Sequence, residues 1–167
     1  MATEAVPTGT ISDGNGLVLF VPAIADINNP TVAELTAVGV KKLTYSIDAG
    51  GYTHTITVNK VKVNRLTLKQ ELQYDGVVTD DVSIKYIYNN TVDDIVRLAL
   101  PTGQTGFIVE RWAVPNGQDI AAADIVDIIP IKASIPAKDA PAANAELTRT
   151  QALNVTGIVA RDVAVVA

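Results

Sequence analysis

Residues 82–112, VSIKYIYNNTVDDIVRLALPTGQTGFIVERW, contain the strongest secondary-structure signals in this 167-residue chain. From Val82 to Tyr88 apolar and polar side chains alternate, which is the period of a half-buried strand. From Phe107 to Trp112 the chain returns to residues typical of a strand. The segment between them predicts an amphipathic helix. A single helix that connects two strands favours a helix packed against a β-sheet.

The predicted helix has a cap, an apolar face and a stop signal. Asn90 or Thr91 can cap its first turn. An aspartate three residues on, Asp93 or Asp94, then accepts hydrogen bonds from free amides and meets the positive helix end. Ile95 is predicted to lie at the centre of the buried face. The i, i+3, i+4, i+7 spacing of that face comprises Val92, Ile95, Val96 and Ala99.

The composition excludes several classes of protein. With 48% hydrophobic and 19% charged residues, the chain is predicted to fold as a globular domain rather than to remain disordered. No secretory signal or membrane span is expected from its apolar runs. The absence of cysteine excludes disulfides and thiol chemistry. A net charge of −5 argues against a protein that grips nucleic acid by its phosphates.

The order of strand and turn signals predicts a mainly β (α+β) fold. We expect an antiparallel β-sandwich or barrel of about seven strands with one packed amphipathic α-helix. Residues 1–15 are predicted to be a flexible N-terminal arm, residues 16–160 a single β-domain, and residues 161–167 an apolar C-terminal tail that needs a partner surface. The loop of residues 134–144 is expected to be mobile in a free subunit, as are the arm and the tail. The last strand is predicted over residues 146–160.

One predicted strand changes the phase of its alternation. Ile56 and Val58 share one face, while Val61 and Val63 share the other. The switch lies at residues 59–60. Such a change predicts either a β-bulge or a strand whose two halves bury opposite faces.

Ionisable residues do not form a recognisable catalytic or metal-binding pattern. His54 is the single histidine, and it is predicted to be a surface or interface residue of a strand, since no cysteine or second histidine can join it. The acidic pairs at residues 80–81 and 93–94 lack the spacing of a calcium loop and are interpreted as a solvated turn and a helix cap. No catalytic residue, cofactor or metal site is therefore predicted.

A small basic cluster comprises Lys60, Lys62, Arg65 and Lys69. A patch that binds nucleic acid would carry more positive charge and interleaved aromatic residues. We therefore interpret the cluster as a surface that forms salt bridges with a neighbouring subunit.

Three stretches carry a resemblance to a known family. They are residues 82–112 in their order of strand, helix, LPTG turn and strand, the opening LVLFVPAIADINNPTVAEL from Leu17 to Leu35, and PAAN from Pro141 to Asn144. Together they resemble the major tail tube proteins of long-tailed, siphophage-type bacteriophages, especially those of actinobacteria. The similarity spans residues 16–159.

The resemblance implies a structural virion protein rather than an enzyme. It implies hexameric rings that stack into a hollow tail tube, with DNA passing non-specifically through the lumen into the host cell. Implied partners are further copies of the chain, tape-measure, tail terminator and baseplate proteins, without a membrane. The protein would be made in the host cytoplasm and act in the virion. In the family, a hairpin extends towards adjacent subunits. We therefore expect interface residues at Ile56, Val58, Lys60, Lys62, Arg65, Val163 and Val165.

Two other functions compete with this one. A monomeric β-sandwich that binds a ligand, of the adhesin type, would need exposed aromatic residues on one sheet face, but aromatic residues make up 5% of the chain. A small enzyme on a β scaffold would need a group of ionisable residues in a suitable arrangement, which the sequence does not indicate.

Overall fold

The computed structural model describes residues 4–89, 91 and 94–167, and in them nine strands form one antiparallel sheet. The strands are β1 (Gly16–Val21), β2 (Lys41–Lys42), β3 (Ile47–Val63), β4 (Leu72–Ile87), β5 (Thr105–Trp112), β6 (Ile125–Ala133), β7 (Ala137–Lys138), β8 (Thr148–Val155) and β9 (Ala160–Ala164). The two α-helices are α1 (Val32–Leu35) and α2 (Ile95–Ala99). The mainly β, antiparallel prediction is confirmed, with more strands and a second short helix.

The sheet order is β2-β1-β5-β6-β8-β4-β3, with β7 added to β8 and β9 to β6. The sheet is not closed into a barrel, and the arrangement is that of a sandwich. Between its two halves lies a first core, to which β1, β4, β5, β6, β8 and α2 contribute side chains. A second core lies on the opposite face of β1, β5 and β6, beneath α1 and β9. Strand β1 therefore sends Val18 and Phe20 into the first core and Leu17 and Leu19 into the second.

Helix α2 begins later than predicted and buries a different face. Its N-cap is Asp94, whose carboxylate accepts a hydrogen bond from the amide of Arg97. Val96 is fully buried, whereas Ile95 is 44% exposed, so the prediction that Ile95 lies at the centre of the buried face is wrong. The buried set is Val96, Ala99 and Leu100. Asn90, Val92 and Asp93, which were predicted to belong to the helix, lie outside the described residues.

Helix α1 follows its sequence signal closely. The Thr31 hydroxyl accepts a hydrogen bond from the amide of Glu34, and the Glu34 carboxylate accepts one from the amide of Thr31. This reciprocal capping box stabilises a helix of a single turn. The helix directs Leu35 into the second core.

Pro130 lies inside β6, which is not an edge strand. The carbonyl oxygen of Pro130 accepts a hydrogen bond from the amide of Thr156. Pro130 therefore faces the gap between β9 and β8, the two strands that pair with this side of β6. On that side β6 pairs with β9 from Ile125 to Ile128 and with β8 from Ile131 to Ala133. A proline is tolerated there because no ladder hydrogen bond requires its missing N–H group.

The C-terminal part of the chain is folded into the sheet. The single strand predicted over residues 146–160 is two strands, β8 and β9, because β9 leaves β8 and pairs with β6. Val165 is 2% exposed and packs in the second core, and the amide of Val166 donates to the carbonyl of Pro30. The apolar tail therefore finds a partner surface within the subunit.

Candidate assembly surface

Strands β3 and β4 extend beyond the sandwich as a hairpin. Strand β4 pairs with β8 only from Val82 to Ile87, and in the described chain residues 72–81 have β3 as their single ladder partner. We call residues 55–63 and 72–81 the ribbon. Its strands are roughly 30 Å long at the usual rise per residue. Strand β4 runs without interruption through Asp75 and Gly76, a pair that is also common in turns.

The ribbon contains the predicted change of phase. Val58 pairs with Val78, but Lys60 pairs with Asp75, so β4 has one more residue than β3 between these pairs. The bulge therefore lies at residues 76–77. Gly76 suits this place because a Cβ atom would lie 2.9 Å from the carbonyl oxygen of Asn59. A bulge thus lies beside the predicted phase change, but its extra residue is on β4 and not on the strand for which the sequence offered a bulge as one of two alternatives.

Each half of the ribbon exposes apolar side chains on a different face. On the face that continues from the first core, Ile56 is 48% and Val58 38% exposed, next to exposed Val78. Beyond the bulge, Val61 and Tyr74 pair on the opposite face and are exposed as well. The subunit thus presents two apolar stripes on one projecting element.

The basic residues of the ribbon form ion pairs within it. The Nζ atom of Lys60 lies 3.3 Å from Asp75, and that of Lys62 lies 3.2 Å from Glu71. Both lysines were predicted to meet acidic residues of a neighbour, but in the subunit they contact β4 or the turn before it. All four side chains are more than a third exposed, so these pairs contribute little to stability. Arg65 is exposed in the turn at the tip.

The two valines of the tail occupy different environments. Val165 is buried in the second core, whereas Val163 is half-buried and pairs with Val126 in the ladder between β9 and β6. Both valines therefore lie on the sandwich, away from the ribbon. We call the sandwich without the ribbon the body of the subunit.

His54 is not a surface residue, contrary to its interpretation from sequence. Its Nδ1 lies 3.0 Å from Glu110 Oε1 and its Nε2 lies 2.9 Å from Asp80 Oδ1. The imidazole, both carboxylates and the hydroxyl of Tyr52 are largely buried. Asp80, which was predicted to lie in a solvated turn, lies within β4 and is paired on two sides.

Further donors complete the arrangement around the two carboxylates. Tyr52 donates its hydroxyl hydrogen to Glu110 at 2.5 Å, and the indole N–H of Trp112 donates to the other Glu110 oxygen at 3.0 Å. The guanidinium of Arg161 binds Asp80. We call these six residues the His54 cluster: Tyr52, His54, Asp80, Glu110, Trp112 and Arg161. The cluster lies where the ribbon leaves the sandwich and joins β3 and β4 to β5 and β9.

Burial and pairing shift the pKa values of Asp80 and Tyr52 in the cluster. Burial alone would raise the pKa of Asp80, but hydrogen bonds from Arg161 and His54 outweigh it and hold the pKa below its usual value. Burial, followed by the negative charge of Glu110, raises the pKa of Tyr52 well above its ordinary value, so this phenol stays a donor. No short-range sequence signal could reveal the cluster, since its partners are far apart in the chain.

Arg111 forms a second buried polar centre, which was not predicted from the sequence. Its side chain is 1% exposed and lies 2.7 Å from Asp124. It also donates to the carbonyl oxygens of Pro115, Gln118 and Asp119. One guanidinium thereby fixes the loop between β5 and β6, which suits a planar group with five donors.

Other kinds of site receive little support from the geometry. Within the described ranges no group of three or more His, Cys, Asp or Glu residues could hold a metal ion. An apolar groove beside α1 encloses about 250 Å³, less than the roughly 300 Å³ at which ligand pockets begin. A larger cavity of about 400 Å³ is lined by β3, β4 and β8, but its lining is mostly polar, whereas ligand pockets are lined mainly by apolar side chains. No helix in the described part of the chain is long and apolar enough to cross a bilayer.

Comparisons with known proteins give a family match and a likeness of fold. A family model described as phage tail tube protein matches residues 3–167. No curated protein matches the chain. Among solved structures, it is similar to a chain in the cryo-EM structure of the anti-feeding prophage baseplate, 6-fold symmetrised. The TM-score is 0.55 at 13% identity, over 94% of this chain and 95% of that one, which is a likeness of fold. On the match of the family model, this chain belongs to the phage tail tube protein family.

Proposed function

We propose that the protein is a tail tube subunit that assembles into hexameric rings, which stack into a hollow tube and conduct DNA into the host cell. The observation that supports this most strongly is the ribbon. Two-stranded ribbons are marginally stable alone in water, and this one exposes apolar side chains on both faces. A surface on a neighbouring subunit would cover them.

The ribbon also has the geometry expected of an interface element. Ile56 and Val58 continue the face whose upper part, at Val82 and Ile84, is buried in the first core. A neighbour packed against that face would extend an existing apolar layer. The opposite face beyond the bulge, around Val61 and Tyr74, would then meet a different neighbour, in the same ring or the next.

The sheet ends offer a route to ring closure. Strands β2 and β3 are the terminal strands of the described sheet order. Free edges invite pairing with another chain, and closing the sheets of several subunits into a ring removes such edges. The six-fold symmetry of the baseplate assembly that contains the similar chain supports a ring of six.

The charge of the chain suits a conduit for DNA. A net charge of −5 would limit binding to phosphates on an inner surface, so that DNA slides without being held. We assign contacts with the next ring to the exposed N-terminal arm, including Val6 and Ile11, and to the loop around Ile135. Tape-measure, tail terminator and baseplate proteins would bind the ends and lumen of the tube. No catalytic step or cofactor is part of this proposal.

The proposal is tested by replacing the apolar stripe of the ribbon. In Ile56→Asp/Val58→Asp the subunit should fold, because neither side chain is buried within it, but tubes should be absent. Thr53→Asp/Thr57→Asp is the matched control, with the same charges on the opposite face of β3. The measurements are circular dichroism, size-exclusion chromatography and negative-stain electron microscopy.

Two results would contradict the proposal. Normal tubes from the Ile56/Val58 variant would show that this stripe is not an interface. A wild-type protein that remains monomeric at high concentration and in the presence of its tail partners would contradict a self-assembling role altogether.

A further inference from the structure

The protonation state of His54 follows from its partners. Each ring nitrogen lies within hydrogen-bonding distance of a carboxylate oxygen, at 3.0 Å from Glu110 and 2.9 Å from Asp80. An ionised carboxylate accepts hydrogen bonds and cannot donate them. With both carboxylates ionised, both nitrogens carry a hydrogen, which makes the ring an imidazolium.

The charges of the His54 cluster balance in this state. His54 and Arg161 supply two positive charges, and Asp80 and Glu110 supply two negative ones. Tyr52 and Trp112 donate to Glu110 as neutral groups. Two further acids, Asp127 on β6 and Asp162 on β9, border the same end of the sandwich. No other cation is seen around the imidazole in the described residues, so loss of its proton would leave an excess of negative charge.

The position of the cluster connects the proton on His54 to the orientation of the ribbon. His54 and Asp80 belong to the hairpin, whereas Glu110 and Arg161 belong to β5 and β9, which do not pair with the hairpin in the sheet. The cluster thus joins the base of the ribbon to the opposite half of the sandwich. Deprotonation would replace one donor by a lone pair that faces a carboxylate.

We propose that His54 is a protonation-dependent positioning residue, which as an imidazolium between Asp80 and Glu110 holds the ribbon in its orientation for assembly and releases it on deprotonation. The relevance to assembly rests on the proposed function of the ribbon. Histidine is the side chain whose unperturbed pKa lies nearest to neutral pH, so a pH series is the direct probe of this contact.

The free subunit allows a direct test because its sequence contains one histidine and one tryptophan. Nitrogen-15 NMR of the imidazole should show protons on both nitrogens at about pH 5.5, a pH at which an unperturbed ring is also charged. As the pH is raised, the indole N–H signal of Trp112 should move together with the imidazole signal, since both rings contact Glu110. Amide exchange in β3 near His54, corrected for intrinsic rates, should accelerate by about tenfold over the same range.

Variants separate a positioning role from simple packing. His54→Gln should make the indole signal and the exchange of β3 independent of pH in this range. Glu110→Gln should retain a titrating imidazole that loses its proton at lower pH, because one of the two stabilising carboxylates is gone. Lys60→Gln, on the exposed ribbon, is the control and should titrate like the parent. A neutral imidazole at about pH 5.5, or an indole signal that ignores the imidazole, would overturn the proposal.

Electron microscopy of tubes at about pH 5.5 and about pH 8.5 then tests the connection to assembly. Slower or irregular assembly of His54→Gln at the lower pH would support the positioning role. Tubes of parental rate and form from that variant at both pH values would overturn it while leaving the tail tube proposal intact. If the wild type shows the NMR titration but forms no tubes, the proposed function fails and the proton-dependent cluster stands.

Discussion

Strand β1 and the ribbon are both extended segments rich in apolar residues, yet they bury those residues to opposite degrees. All of β1 from Gly16 to Val21 is buried, because the sandwich covers one face and α1 with the C-terminal residues covers the other. The ribbon has a single layer, and its apolar side chains remain exposed. The comparison shows that local pattern produces a strand, whereas burial depends on how many layers pack around it.

The largest loss of stability is expected from a substitution in the buried core of the body. Val96→Asp would place an unpaired carboxylate in the first core, where Val96 is 0% exposed. We expect a loss of about 4 kcal/mol in the free energy of unfolding. Ile95→Asp is the matched control, at a position 44% exposed on the same helix, and should cost less than about 1 kcal/mol. Urea denaturation followed by circular dichroism measures both, and equal losses would show that α2 does not pack through Val96.

A buried polar centre should come next in magnitude. Arg111→Met would keep most of the side-chain volume but remove the partner of Asp124 and the donors to three loop carbonyls. We expect a loss of about 3 kcal/mol, as is typical when one partner of a buried ion pair is removed. Lys60→Met removes an exposed ion pair of the ribbon and should change stability by less than about 0.5 kcal/mol. Similar losses of stability for both variants would show that polar contacts in the body contribute no more than those in the ribbon.

The sequence predicted features that depend on neighbours along the chain. Val82, Ile84 and Tyr86 are buried as their alternation indicated. The phase change near residues 59–60 was visible because β3 places Ile56 and Val58 on one face and Val61 on the other, although the extra residue of the bulge is on β4. These signals arise from backbone geometry over a few residues, which local sequence specifies.

Features that depend on distant partners were missed. His54 contacts residues 26 and 56 positions away, and Arg161 reaches Asp80 across 81 positions, so the sequence did not reveal that a lone histidine would be buried and paired. Ile95 was misplaced because Asp94 caps the helix, later in the chain than the sequence indicated, and shifts its buried face. The C-terminal residues were interpreted as an exposed tail since their apolar character does not indicate which surface covers them.

Acid should weaken the body of the subunit through the pairing of Asp124. Burial alone would raise the pKa of Asp124, but hydrogen bonds from Arg111 and the amide of Ala121 outweigh it and hold the pKa below its usual value. A carboxyl with a lowered folded pKa contributes stability above its unfolded value, and that contribution is lost as the pH falls through the folded value. We therefore expect the contribution of this group to be lost as the pH falls below the ordinary aspartate value of about 4. Asp124→Asn should flatten the acid limb of a stability–pH curve. A variant at Asp124 with the parental acid limb would contradict the assignment.

The smallest effect on stability is expected from changes to the charged residues of the ribbon. These changes also give the most sensitive test of the comparison between body and ribbon. Lys60→Glu/Lys62→Glu opposes Asp75 and Glu71 with like charges, but all these side chains are exposed, so the change should be within about 0.5 kcal/mol.

Its effect on tube formation should exceed its effect on folding, because charges at the rim of an interface act mainly on association rate and its dependence on salt. We expect slow assembly at low salt that approaches the parental rate as salt is added. A charge-swapped variant, Lys60→Glu/Asp75→Lys, distinguishes the two places where the lysine can act, since it restores the ion pair within the ribbon with reversed polarity. If Lys60 faces a neighbouring subunit, the swap recovers stability but not assembly rate, as measured by light scattering. If the charge-swapped variant assembles at the parental rate, Lys60 acts only through its ion pair within the ribbon. The apolar stripes would then form the contact between subunits.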